Sequence, residues 1–170
     1  SVMQSFRLAL QEPIKFLTRP EFLMIWAVYL ATYVVANVVM TLCQQVWAID
    51  TEATYDATGE GIFFTSDRSG GPQIYYMERI GAEPRRITFG SRYNARPRPD
   101  GTGDYVYYVH QRDSAFHIAR TNLKTGDETI LTRTQSDESP SVSPNGRMLI
   151  YATKQGENSV LTVISADGGA

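Results

Sequence analysis

The chain has 170 residues, with 16 Lys and Arg against 18 Asp and Glu, for a formal net charge of -2. This balance excludes a scaffold that holds nucleic acid by bulk charge, which needs a strongly basic face. Cys43 is the single cysteine, so no internal disulfide can form.

In chain order, the first feature is FLMIWAVYLATYVVANVVMTLC, Phe22 to Cys43, a run of 22 residues without a charge. As a helix, expected over about 21–45, it is long enough to cross roughly 30 Å of hydrocarbon. Pro20 suits a first-turn position, where its missing N–H costs nothing, and Glu21 complements the positive end of the helix dipole. Trp47 reads as an interfacial anchor. Arg7, Lys15 and Arg19 precede the run and Asp50, Glu52 and Asp56 follow it. The positive-inside rule therefore places the N-terminus in the cytoplasm and the remainder across the membrane. Two other readings stay open. One is a buried helix of a soluble domain. The other is a cleaved signal peptide, for which Val46-Trp47-Ala48 offers small residues at the two positions a signal peptidase reads. Residues 1–50 are taken as an N-terminal segment, 51–59 as a linker or junction, and 60–170 as a β domain.

The β domain announces itself with FTSDRSGGPQIYYM, Phe64 to Met77, a polar turn between two runs of aromatic and β-branched residues. The same layout returns in VYYVHQRDSAFHIART from Val106 and LIYATKQGENSVLTVI from Leu149. The links repeat too: RRIT from Arg85 with TILT from Thr129, and ARPRPDG from Ala95 with PSVSPNG from Pro140, at a period of 43 to 45 residues. Asp100-Gly101 and Asn145-Gly146 are dipeptides that supply positive φ at a tight turn. A repeat of this length with four short strands is what a propeller blade requires. IFFTS, YVYYV and MLIYA are apolar almost throughout, as expected of strands covered on both faces. Strands are expected near 62–66, 73–78, 85–88, 95–98, 104–109, 116–121, 128–132, 139–143, 148–153 and 159–164. The fold class is therefore mainly β: a partial β-propeller of about two and a half four-stranded antiparallel blades, preceded by an N-terminal hydrophobic helix.

FTSDRSGGPQIYYM, RRITFGSRYN, DESPSVSPNGRMLIYAT and SVLTVISADGG together resemble the TolB-type propeller of the Tol-Pal envelope system, over about residues 60–170. The resemblance implies a periplasmic six-bladed propeller that binds the lipoprotein Pal, supports envelope integrity and catalyses nothing. The N-terminal segment falls outside the resemblance, and TYDATGEG stands where the family's PxWSPDG inner strand is expected before Ile62. Since a propeller closes with about four to eight blades, the expectation is a fragment, a fusion, or an open stack that closes by self-association. The alternatives are the non-catalytic propeller of a prolyl-oligopeptidase-like enzyme and a membrane anchor or assembly subunit.

Catalytic signals are sparse: no GxSxG, HExxH, CxxC or P-loop occurs. No enzyme activity, cofactor, metal or nucleic-acid partner is expected. His110 and His117 flank one turn without an obvious third ligand and read as exposed strand residues. Asp67 reads as the cap of its own turn in Ser66-Asp67-Arg68. Arg85, Arg86, Arg92, Arg96 and Arg98 form a basic stretch, either a solvated loop or an anion- or protein-facing rim. The loops leading into inner strands, GSRYNA and QSDESP, converge in a propeller, so a protein partner is expected at Arg92, Tyr93, Asn94, Asp137 and Glu138. Capping of the strands by the two acids is the plainer reading of that pair.

Overall fold

The computed structural model describes residues 20–46 and 48–168. The expectations placed on Arg7, Lys15, Arg19 and Trp47 lie outside the described residues. The chain divides into two compact units, Ser1–Val46 and Trp47–Ala170.

The first unit contains helix α1, Pro20–Val46. Its length follows from the absence of any breaker after Pro20, and Glu21 sits in the first turn as the dipole prefers. From Leu23 to Met40 the mean hydropathy is 1.9 and no residue is buried. The side chains of Thr32 and Asn37 turn back on the helix itself. The Thr32 hydroxyl donates to the carbonyl of Tyr29 at 2.8 Å, and Asn37 Nδ2 donates to that of Tyr33 at 2.8 Å. By length and composition this helix can cross a membrane.

The second unit is built from eleven strands. They are β1 (Asp50–Tyr55), β2 (Ile62–Ser66), β3 (Gln73–Met77), β4 (Arg85–Arg86), β5 (Asn94–Pro99), β6 (Tyr105–Arg112), β7 (Ala115–Asn122), β8 (Glu128–Ile130), β9 (Glu138–Val142), β10 (Met148–Gln155) and β11 (Asn158–Ser165). They form three antiparallel sheets in simple meander order: β1-β2-β3-β4, β5-β6-β7-β8 and β9-β10-β11. Each sheet is one blade, the third with three strands.

Two sequence expectations change here. Residues 51–55, read as part of a linker, form β1, which pairs from Asp50↔Ser66 to Tyr55↔Ile62 and completes the first blade. The reason is that Thr51, Thr54 and Tyr55 suit a strand while the missing Trp-Ser-Pro motif concealed it. The turn after β5 takes its positive φ at Gly103 (78°), not at Gly101. Gly101 is required for another reason: a Cβ there would collide with the carbonyl oxygen of Pro144 in the corresponding turn of the next blade. Gly146, in that next turn, does have the expected positive φ of 68°.

The core lies in the two seams between blades. Phe63, Ile74, Val106, Tyr108 and Ala119 fill the seam between the first and second blades. Tyr107, Val109, Ile118, Leu131, Leu149, Tyr151 and Ala166 fill that between the second and third. Strand β6 supplies both, because its successive side chains point to opposite faces. The far face of the third blade is uncovered, with Met148, Ile150, Leu161 and Val163 exposed.

Candidate functional site

The first strands of the three blades pack beside one another, and each is interrupted by a bulge, between Thr51 and Thr54, between Ala95 and Arg98, and opposite the step from Ile150 to Ala152. At each bulge one non-glycine residue takes a left-handed backbone: Glu52 at φ 56°, Arg96 at 59° and Ser139 at 56°. Such conformations cost about 1–3 kcal/mol each and persist only where surrounding contacts enforce them. Here the enforcement is mutual. Arg96 donates from Nε to Glu52 Oε1 at 3.2 Å, and from one terminal nitrogen to Glu138 Oε2 at 2.9 Å and Ser139 Oγ at 3.1 Å. Its backbone N–H donates to Glu52 Oε2 at 2.8 Å, which also accepts from the Thr65 hydroxyl. One guanidinium thus ties three consecutive blades, and its pair of carboxylates, Glu138 first, holds it firmly protonated against the cost of partial burial.

Tyr93 stands beside this cluster. Its ring meets Phe116 edge-on at a centroid distance of 5.5 Å, while burial, then the charges of Glu52 and Glu138, push its hydroxyl to higher pKa. The Glu138 side chain is 55% exposed, while the Tyr93 ring is partly buried against the core of the seam between the second and third blades.

The other expected site residues go elsewhere. Asn94 and Asp137 are fully buried. Asn94 donates to Gln73 Oε1 at 2.9 Å and its oxygen faces His110 Nδ1 at 2.9 Å. Asp137 accepts from the hydroxyls of Thr132 and Thr134. Both residues anchor the incoming loop from inside, two positions before the strained residue. Asp50 holds the matching position in the first blade, and both its carboxylate oxygens accept from one terminal nitrogen of Arg68 at 3.0 Å. Arg92 is exposed at the mouth of a separate cleft. The structure therefore gathers Tyr93 and Glu138, and adds Glu52, Arg96 and Ser139, which sequence reasoning passed over as linker, basic loop and strand. A signal existed: Asp50-Thr51-Glu52, Asn94-Ala95-Arg96 and Asp137-Glu138-Ser139 all repeat a polar side chain two residues before the bulge.

Three smaller readings are revised. Asp67 does not cap its own turn; its Oδ1 accepts the backbone N–H of Ile49 at 2.8 Å, fastening the approach to β1. His110 is buried, not exposed, and faces His117 directly across β6 and β7. No cluster of three or more metal-ligating residues occurs among the described residues. The arginine stretch is largely engaged: Arg85 lies over Tyr76, Arg86 over Phe89, and Arg96 in the cluster above.

Comparison with known proteins places this arrangement. The TolB beta propeller domain profile matches residues 27–170. The Tol-Pal system protein TolB of Bordetella pertussis is 49% identical over 120 residues, covering 71% of this chain and 27% of its own length. That of Hamiltonella defensa is 44% identical over 85 residues, covering 50% of this chain and 20% of its own. The crystal structure of TolB from Acinetobacter baumannii superposes with a TM-score of 0.65 at 43% identity, over 71% of this chain and 30% of that one. The chain thus spans about a quarter of the length of the curated relatives it matches. Antiparallel blades of four, four and three strands, a repeated bulge on each first strand and a matching profile across most of the sequence lead to one conclusion: the chain belongs to the TolB β-propeller domain family.

Proposed function

We propose that the β unit is a non-catalytic protein-binding surface of the TolB type, working in the periplasm on a Pal-like lipoprotein of the Tol-Pal system. The observation that carries this reading is the Glu52–Arg96–Glu138 cluster with Tyr93 at its edge. It is a strained surface assembled from three blades, in which one arginine is shared by two carboxylates, with an aromatic ring and an arginine, the residue types that anchor protein interfaces. Asn94 and Asp137 hold its loops in place from below, and Arg92, expected on the same rim, lies at the separate cleft. Changing Tyr93 and Glu138 to Ala is expected to weaken binding of the lipoprotein's soluble domain by about 1 kcal/mol or more each, with β content intact. Calorimetry showing undiminished affinity for the doubly changed chain would redirect attention to the Arg85 to Arg98 stretch.

Helix α1, on the same proposal, holds the chain in the membrane through Phe22 to Cys43, with the β unit on the periplasmic side. Support comes from the exposed apolar surface from Leu23 to Met40 and from Thr32 and Asn37 satisfying themselves on their own helix. The chain should pellet with membranes after alkaline carbonate washing; recovery in the soluble fraction would refute the anchor.

A further inference from the structure

A cleft of 480 Å³ opens at the seam of the first two blades, lined by Gly90, Ser91, Arg92, His110, Arg112 and Glu128 among others. Its volume falls within the range of small-molecule sites, about 300–1,000 Å³. The axial cluster contributes none of its lining.

The floor of the cleft is set by a buried hydrogen-bond chain whose polarity is fixed from one end. The carbonyl oxygen of Ser91 can only accept, so Gln73 donates to it through Nε2 at 2.8 Å. Gln73 Oε1 then accepts from the Thr88 hydroxyl at 2.8 Å and from Asn94 Nδ2 at 2.9 Å. This turns the Asn94 oxygen toward His110, whose Nδ1 must carry the proton that it donates at 2.9 Å. The neutral ring is therefore locked in one tautomer with its lone pair on Nε2. Burial first, and then the neighbouring His117 and Arg112, hold the imidazole below its ordinary pKa, with Glu128 opposing.

Glu128 supplies the second acceptor. Its Oε2 receives the Tyr108 hydroxyl at 2.6 Å, while Oε1 lies 3.6 Å from His110 Nδ1, a ring nitrogen already committed to Asn94. The space in front of Oε1 exists because residue 90 is glycine: a Cβ there would stand 2.6 Å from that oxygen. At the mouth, Arg112 is 66% exposed and only loosely met by Asp113 at 3.6 Å. Arg92 has no ion-pair partner among the described residues.

Two acceptors inside and two guanidiniums outside select by charge. An anion alone meets the Glu128 carboxylate inside, and a cation alone meets a mouth where two guanidiniums outnumber the one carboxylate of Asp113; a lone His and Glu are too few to hold a metal ion. A molecule with an ammonium at one end and a carboxylate at the other meets both. We propose that this cleft binds a free α-amino acid or a dipeptide, with the ammonium on Glu128 Oε1 and His110 Nε2 and the carboxylate on Arg92 and Arg112.

The chain holds two histidines, so ¹⁵N NMR of the full chain in detergent micelles at neutral pH reads the site directly. Alanyl-alanine should shift the His110 Nε2 resonance saturably, and His110 should show the Nδ1–H tautomer. N-acetyl-alanyl-alanine and alanyl-alanine amide should each bind at least about tenfold more weakly, since each removes one charged hydrogen-bonded end. Glu128→Gln should weaken alanyl-alanine by a similar factor. Gly90→Ala, on the exposed loop, should weaken binding without changing any charge, because its Cβ makes Glu128 Oε1 move from its place. An unmoved His110 up to about 20 mM dipeptide, equal binding of the blocked peptides, or full affinity in Gly90→Ala would each overturn the proposal.

Discussion

Strands β6 and β10 hold the same place in successive blades and read alike in sequence, YVYYV and MLIYA, yet they end in different surroundings. From Val106 to His110 every side chain of β6 is buried. In β10 burial alternates: Leu149 and Tyr151 are covered at 0% and 5% exposure, while Met148 and Ile150 face outward at 47% and 36%. The difference lies in neighbours. The second blade is sandwiched, so both faces of its pleat are core; the third has a companion on one side only. An apolar run in a strand thus records what its family's architecture can cover, and the packed blades decide which half of it contributes to stability.

The sharpest way to break this comparison is at two adjacent residues of β10. Leu149→Ala should cost about 2–5 kcal/mol, as expected for a fully buried leucine, whereas Ile150→Ala should cost about 1 kcal/mol because over a third of its surface faces solvent. Urea unfolding of both variants checks this, and equal losses would mean that another body covers the outer face of β10.

In β6 the two faces should instead behave alike. Val106→Ala toward the first blade and Val109→Ala toward the third each remove two buried methyl groups, with about 2 kcal/mol expected from each. If Val109→Ala alone destabilised the protein, the seam between the first two blades would not be closed in solution.

The smallest effect concerns the residue four beyond Ile62, Val106 and Leu149 in the three blades: Ser66, His110 and Thr153. Only β6 places a titratable group there. Because burial holds folded His110 below its unfolded value of 6.5, the unfolded chain takes up the proton first. Stability should therefore be flat above that pH and decline as pH falls through it toward the folded value. Thermal melts between pH 7.5 and 5 check the trend, and His110→Asn should flatten it; an unchanged slope would assign the decline to carboxylates.

The sequence by itself determined the strand order and the blade period, because both rest on local chemistry. Alternating runs, Gly and Asn-Gly turns, and a 43 to 45 residue spacing act within a few residues of one another. It also determined helix α1, where 22 uncharged residues leave no other periodicity to read. It concealed β1, since Asp50–Tyr55 is a strand chiefly through its pairing with β2. What only the tertiary structure decided is the fate of the polar side chains. Asn94 and Asp137 looked like neighbours of Tyr93 and Glu138 on a loop, but successive side chains of an extended segment point to opposite sides, and burial takes Asn94 and Asp137 wholly inside while Tyr93 stays partly buried and Glu138 exposed. Glu52 and Arg96 are 44 residues apart in the chain and meet only because successive blades set their first strands side by side. Pairings across such separations depend on the packing of whole sheets, which no local pattern in the sequence encodes.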